Sequence, residues 1–262
     1  MVRFQRFGQA ANHDRKAYLE YQIQIGEYYL EHFVAPYARG NRVLDIGCGE
    51  GGVLIAFQRA GYQCTGLEYS WERLNYAREM GNPAIRLMHG DIEQFIAAEQ
   101  FDVILMLDVI EHLGRKAEAL QHLNQMLSPH GIAVISFPPF RSAFGGHQQV
   151  MRSFLKYIPF IHLAPRSVYR WLLENIERQN VEAHWRNYKT GICIKDFEKL
   201  VHQVGFRIIL RNTYLVRPRQ ALRFGLKIKA YRGRWLTEYL TTGAEYVLGK
   251  KDSGLESLEN LT

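Results

Sequence analysis

Apolar positions in the first 140 residues switch between helical spacing and short continuous runs. Leu19, Ile23, Leu30 and Phe33 recur at helical intervals and predict an amphipathic helix over 15–34, ended by Pro36 and Gly40. Residues 42–47 (RVLDIG) form a short apolar run before a glycine cluster and predict a strand. Helices over 53–60 and 71–80 then alternate with strands over 63–68 and 84–89. The near-continuous apolar run 101–109 suits a central parallel strand covered on both faces. Lys116, Leu120, Leu123 and Leu127 mark the next helix, and 132–137 is a fifth strand stopped by Pro138 and Pro139. Such alternation predicts a parallel sheet with helices on both sides.

After Pro139 the rhythm breaks. Residues 140–190 are rich in aromatic and apolar groups: Phe154, Leu155, Tyr157, Ile158, Phe160, Ile161 and Leu163 lie within ten positions. They either pack on the sheet or line a greasy acceptor pocket under a lid. Alternation resumes with a helix marked by Phe197, Leu200, Val201 and Val204 and capped by Gly205, then strands over 206–216 and 244–248. The expected organisation is a core with an N-terminal helical cap over 1–139, a lid over 140–190, a core completion over 191–249 and a flexible tail over 250–262.

Composition narrows the class. Of 262 residues, 47% are hydrophobic and 23% charged, which excludes a mainly disordered chain. The three cysteines form no CxxC pair, which argues against a disulfide scaffold or structural zinc and fits a reducing cytoplasm. The N-terminal stretch lacks the apolar core of a signal peptide, and the run 103–110 is too short to span a bilayer and contains Asp108. Charge divides unevenly: 12 basic against 16 acidic residues over 1–140, a net of −4, then 21 against 10 over 141–262, a net of +11. Residues 199–237 hold ten Lys or Arg and no acid. The basic segment 217–243, with Leu222, Phe224, Leu226, Ile228, Tyr231 and Trp235, could lie peripherally on an anionic membrane, bind RNA phosphates, or be a solvated face.

The chemistry begins at VLDIGCGEGG, residues 43–52. Gly47, Gly49 and Gly52 match GxGxxG, a pattern shared with dinucleotide sites. Asp45 and Glu50 would repel a pyrophosphate but favour a sulfonium and an ammonium. Glu68 ends the second strand 21 residues beyond Gly47 (68 − 47), where an acid can accept from both ribose hydroxyls.

VLDIGCGEGG, GLEYS, HGDIEQF and FDVILMLDVIEHL, in this order, resemble class I S-adenosylmethionine-dependent methyltransferases of the ubiquinone-biosynthesis or small-molecule O-methyltransferase kind. The resemblance covers about 42–137. It implies an α/β Rossmann-like fold: a seven-stranded, mostly parallel sheet with helices on both faces and a lid inserted after strand 5. It implies that Gly47, Gly49 and Gly51 lie under the methionine part of the cofactor, with Asp45 and Cys48 of the same turn also counted as cofactor-binding, although Cys48 could serve only to fill a small space. Glu68 would hold the ribose, Tyr69 and Ile92 flank the adenine, and Asp91 accept from its amino group. Leu107 and Asp108 would border the methyl donor.

Acceptor activation has two candidate centres. Asp108, Glu111 and His112 sit at i, i+3 and i+4, resembling the Glu-x-x-Glu-His element of metal-assisted O-methyltransferases with Asp in the first place. They could bind Mg²⁺, or Glu111 and His112 could only stabilise a loop. His147 follows Gly145 and Gly146 at the end of the fifth strand and could be a general base or a ligand beside His112. The expected activity is methyl transfer, most simply to oxygen of a small, lipid-like, quinone-like or anionic metabolite. RNA 2′-O-methylation, nicotinamide-dependent oxidoreduction and non-catalytic cofactor binding are the alternatives.

Overall fold

The structure, a computed structural model, describes residues 15–79, 82–233 and 236–251. Met80, Trp235 and most of the expected tail fall outside them. Short apolar runs become the strands β1 (Arg42–Ile46), β2 (Gln63–Glu68), β3 (Ile85–His89), β4 (Phe101–Leu107), β5 (Leu127–Phe137), β6 (Phe206–Tyr214) and β7 (Gly243–Lys250). They form one seven-stranded sheet in the order β3-β2-β1-β4-β5-β7-β6. The first five run parallel, and β7 is antiparallel to both β5 and β6. Helices α1 (Arg15–Tyr29), α2 (Gly52–Arg59), α3 (Trp71–Glu79) and α4 (Lys116–Met126) alternate with these strands. Later come α5 (Arg166–Leu172), α6 (Val181–Thr190), α7 (Ile194–Gln203), α8 (Pro218–Phe224) and α9 (Thr237–Leu240).

The period-2 geometry of a strand divides β4 between two cores. Ile104 and Met106 pack with Leu120 and Leu123 of α4 and with Phe197 and Val201 of α7. Val103, Leu105 and Leu107 pack with Ile25 and Tyr29 of α1, Leu54 and Phe57 of α2, and Leu222 of α8. Register then fixes the working edge: Ile46 pairs with both Leu67 and Met106, so Gly47, Glu68 and Leu107 emerge together where strand order reverses.

Three details depart from the sequence expectations. Leu127, expected in the fourth helix, instead begins β5, because Pro129 disfavours helical backbone at the residue before it. The buried stripe of α1 is Leu19, Gln22, Ile25 and Tyr29, while Ile23 and Leu30 are only half-buried. The chain widens after Tyr29 into one turn whose Ala35 N–H donates to Leu30 O at 2.8 Å, which carries Phe33 and Val34 inward. The apolar residues after the fifth strand pack on one another rather than on the sheet. Met151, Leu155, Tyr169 and Leu173 form their own small core, against which Ile158, Ile161, Trp185 and Tyr188 lie, while Phe154 and Tyr157 are exposed.

Hydrogen bonds hold the first residue of that segment both to the chain beyond it and to its own interior. Phe140 N–H donates to Ile192 O at 2.8 Å, and His162 Nε2 lies 2.6 Å from Phe140 O. All three cysteines are buried and free. Among the described residues no helix is long and apolar enough to cross a membrane.

Helix α1 crosses α2 at Gly26, where a Cβ would lie 2.7 Å from Val53 O and 2.8 Å from Ala56 Cβ. Gly26→Ala therefore sets a gain of roughly 1 kcal/mol in helix propensity against an overpacking cost of about 1–3 kcal/mol. The clash involves backbone and cannot relax by a rotamer change, so the net effect expected is destabilisation, read as a lower urea midpoint followed by circular dichroism.

Candidate active site

The turn after β1 needs left-handed backbone at three positions: Gly47 at φ 75°, Gly49 at φ 58° and Gly51 at φ 80°. A Cβ on Gly47 would strike Val109 at 2.5 Å, whereas the nearest atom to one on Gly49 is Gln22 Nε2 at 3.5 Å. Around Gly49 the neighbours, Gln22 Nε2 and Arg73 Nη1 at 3.9 Å, stand only at ordinary contact distance. Glu68, 6% exposed at the tip of β2, accepts from Gly49 N–H (Oε2) and Ser70 N–H (Oε1), both at 2.8 Å. A carboxylate has about four lone-pair directions, so acceptor capacity remains for a vicinal diol. Beneath the turn, Asp45 is buried, and burial first, then the Glu68 charge, pushes its pKa up to about 8. At neutral pH it carries little charge, which corrects the expectation that Asp45 helps repel a diphosphate.

A crevice of about 700 Å³ runs along this edge. Gly47, Gly49, Glu68, Tyr69, Asp91, Ile92, Leu107, Asp108 and His112 all line it. Asp45, Cys48 and Gly51 do not: Cys48 fills the space beside Gly66, where a Cβ would meet its Sγ at 2.6 Å. At one end Tyr69 is 72% exposed and Ile92 is buried. Asp91 Oδ1 accepts from Glu93 N–H at 2.9 Å, a turn cap. Trp71 stacks on His89 with centroids 4.1 Å apart and planes 12° from parallel, as packing at a helix start.

At the other end Asp108 adopts φ 58° and accepts hydrogen bonds from both Arg217 and Arg219 on the same oxygen, Oδ2. Burial favours its neutral form, but the two guanidinium charges prevail and hold it well below the usual carboxylate range. This departs from the expected Asp108, Glu111 and His112 ligand trio, because Asp108 already has its cations. It also changes the basic segment 217–243. Arg217 and Arg219 turn inward, at 17% and 21% side-chain exposure, and Leu222 is buried in the core.

Glu111, His112 and His147 instead converge. One donor atom from each lies within 4.8 Å of the others, and the two imidazole centroids are 5.0 Å apart. Glu111 is 2% exposed and neither carboxyl oxygen has a hydrogen-bond partner, as is true of His147 Nε2. Burial, then the Asp108 charge, pushes Glu111 up to about 8. Burial, then His112 and Arg217, brings His147 down to about 4. Burial also lowers His112, against a hydrogen bond that its ring donates to the Asn187 side chain of α6. Both imidazoles are therefore neutral at pH 7 and able to accept a proton.

Sequence reasoning did not single out Arg73, Arg186, Asn187, Thr190 or Gln22, which complete the crevice wall. Arg217 and Arg219 had one visible signal, the run of cations without acids over 199–237.

Comparison with known proteins agrees with this geometry. The methyltransferase-domain family matches residues 18–210. Ubiquinone biosynthesis O-methyltransferase of Actinobacillus pleuropneumoniae is 34% identical over 106 residues, 37% of this chain and 45% of that protein. The Rickettsia akari protein of the same name is 29% identical over 117 residues, 42% and 46%. The matches thus span about half the length of these curated relatives. Among solved structures, a SAM-dependent methyltransferase from Thermotoga maritima superposes with TM-score 0.56 at 16% identity, covering 93% of this chain and 96% of that one. A plantazolicin methyltransferase in complex with triazolic desmethylPZN analog and SAH gives 0.56 at 18% identity, covering 92% and 89%. A glycine turn at the reversal of strand order, an acid at the tip of β2 and this family match together replace the nicotinamide alternative: the chain belongs to the methyltransferase-domain family, among the class I S-adenosylmethionine-dependent methyltransferases.

Proposed function

We propose that the protein transfers the methyl group of S-adenosylmethionine to an oxygen of a small or amphipathic acceptor. Bound S-adenosylmethionine would supply an electrophilic methyl on a positively charged sulfur. Gly47 and Gly49, with Glu68, Tyr69, Asp91, Ile92, Leu107 and Asp108, would hold it, and Gly51 would shape the turn beneath. The crevice beside Gly47 and Gly49 and the remaining acceptor capacity of Glu68 fit that group. The observation that carries the oxygen reading is the convergence of Glu111, His112 and His147 beside this crevice. A hydroxyl must lose its proton as it is methylated, and a neutral, partner-free His147 Nε2 is built to take it. The curated relatives, named as O-methyltransferases over about half their length, lend the same support.

The same three side chains suit a divalent ion. One carboxylate and two imidazoles favour manganese, iron or zinc over Mg²⁺, which prefers oxygen ligands. Such an ion would lower the pKa of a hydroxyl bound to it. Exposed Phe224 and Leu226, between Arg223 and Lys227, support a peripheral contact with an anionic membrane if the acceptor is a lipid.

Tritiated methyl transfer into lipid, polar-metabolite and RNA fractions of an extract tests the acceptor class. Label is expected in the lipid or metabolite fraction; label confined to RNA would refute the reading. Adding a chelator separates the two roles of the triad: an ion-assisted reaction stops and resumes with Mn²⁺ or Zn²⁺, whereas a base-only reaction continues. His147→Ala and His112→Ala should each lower turnover by about 10²–10⁴-fold while adenosylhomocysteine affinity stays within about twofold. Full turnover in both variants would remove them from the chemistry.

A further inference from the structure

Next to the cofactor crevice lies a second cavity of about 530 Å³ with a different character. Its charged lining is Arg73, Arg217, Arg219 and Arg223 against Glu50 and Asp108, four cations to two anions. We infer that this cavity receives an anionic group, a carboxylate or a phosphate, carried by the methyl acceptor. The inference rests on the methyltransferase reading above and names the chemical class of its acceptor.

Four observations carry it. First, the two cavities are contiguous: Tyr18, Gly49, Arg73, Asp108 and Arg219 line both. An acceptor can therefore place its charge in one and its reactive oxygen in the other. Second, the charge is under-compensated where it is most buried. Arg217 and Arg219 share one carboxylate oxygen, and all three groups are about one-fifth exposed or less. Two guanidinium charges on one carboxylate leave a net positive site, which a partly dehydrated protein interior penalises until an anion arrives. Third, Arg223 Nε is buried and has no hydrogen-bond partner. A buried, unsatisfied donor costs about 1–3 kcal/mol, which a ligand acceptor removes. Fourth, the backbone that carries two of the arginines is anchored. Tyr21 of α1 donates its hydroxyl hydrogen to Arg219 O at 2.5 Å, and Arg217 N–H donates to Thr242 Oγ1 at 3.1 Å.

Guanidinium groups match the planar, two-oxygen face of a carboxylate or phosphate better than any other side chain. A neutral acceptor would leave the excess charge and the Arg223 donor unanswered. The chemical alternative is that the cavity takes the carboxylate of the cofactor itself, and the two sources separate in one experiment.

The full chain, saturated with adenosylhomocysteine, is titrated by calorimetry with benzoate, inorganic phosphate and neutral benzyl alcohol. Benzoate or phosphate should bind, with affinity falling as salt rises, and benzyl alcohol should not. Arg223→Ala should weaken the anion by about tenfold or more while adenosylhomocysteine affinity changes less than about twofold. Arg223→Lys should recover part of the loss, and Lys156→Ala, on the distant lid, should change nothing. Absence of anion binding, or equal anion affinity in Arg223→Ala, overturns the inference. So does an equal loss of adenosylhomocysteine affinity, which assigns the cavity to the cofactor carboxylate. If adenosylhomocysteine itself fails to bind the wild-type chain, the methyltransferase reading fails, and the same anion titrations on the unloaded chain still decide what the cavity binds.

Discussion

One buried carboxylate organises the working edge of this protein. Asp108 ends the central strand and is joined to Arg217 and Arg219, more than a hundred residues later in the chain. Removing a charge from water costs several kilocalories per mole unless it is paired and hydrogen-bonded. The trio therefore cannot form until β6 and α8 close onto the parallel core. Its left-handed backbone aims the Asp108 side chain toward the arginines, an arrangement that strand geometry alone would not give. The functional edge and the C-terminal completion of the sheet thus share one set of native contacts.

The same trio shapes protonation around it. Burial is the largest influence on Glu111 and His147; Asp108 reinforces it at Glu111, where Arg217 opposes it, and Arg217 reinforces it at His147, where Asp108 opposes it. The outcome is a neutral carboxyl next to neutral imidazoles, where isolated groups at pH 7 would give a charged carboxylate. Elements from three parts of the chain meet here. Helix α1 closes one side through Tyr21, the start of α8 supplies the arginines, and α6, in the segment after β5, brings Asn187 to His112. The segment after β5 reaches the site with a polar face because its apolar residues are already spent on a separate small core around Tyr169 and Leu173.

Local pattern carried the sheet because each strand's sequence states its own burial. The run 101–109 reads as a doubly covered strand from composition alone, and its four central residues are indeed without exposed surface. Glu68 was legible for a related reason: a fixed spacing from the glycine turn places it at the neighbouring strand tip. What sequence could not show is pairing across distance. Asp108 reads as a metal ligand beside Glu111 and His112 because i, i+3, i+4 spacing is local information, whereas the arginines that claim it lie in a segment whose cations look like a surface patch. The burial of Asp45 was likewise hidden. A carboxyl at the end of an apolar strand looks like a charge at the mouth of a site, yet here it lies beneath the turn and is largely neutral.

That neutrality moves the discrimination between a sulfonium and a diphosphate from Asp45 to a hydrogen bond. At a glycine-rich turn that cradles a pyrophosphate, the free backbone N–H groups supply the attraction. Here the Gly49 N–H is already committed to Glu68 at 2.8 Å, and the Ser70 N–H takes the other oxygen of the same carboxylate. A phosphate entering the turn would lose that donor and meet the carboxylate in its place. On the reading proposed above, a cofactor with a ribose diol would present hydroxyl donors to that acceptor, and the crevice lined by Gly47 and Gly49 would take its bulk. The GxGxxG pattern is therefore shared with dinucleotide sites in its backbone geometry but inverted in its hydrogen-bond polarity, and that inversion is set by one side chain, Glu68.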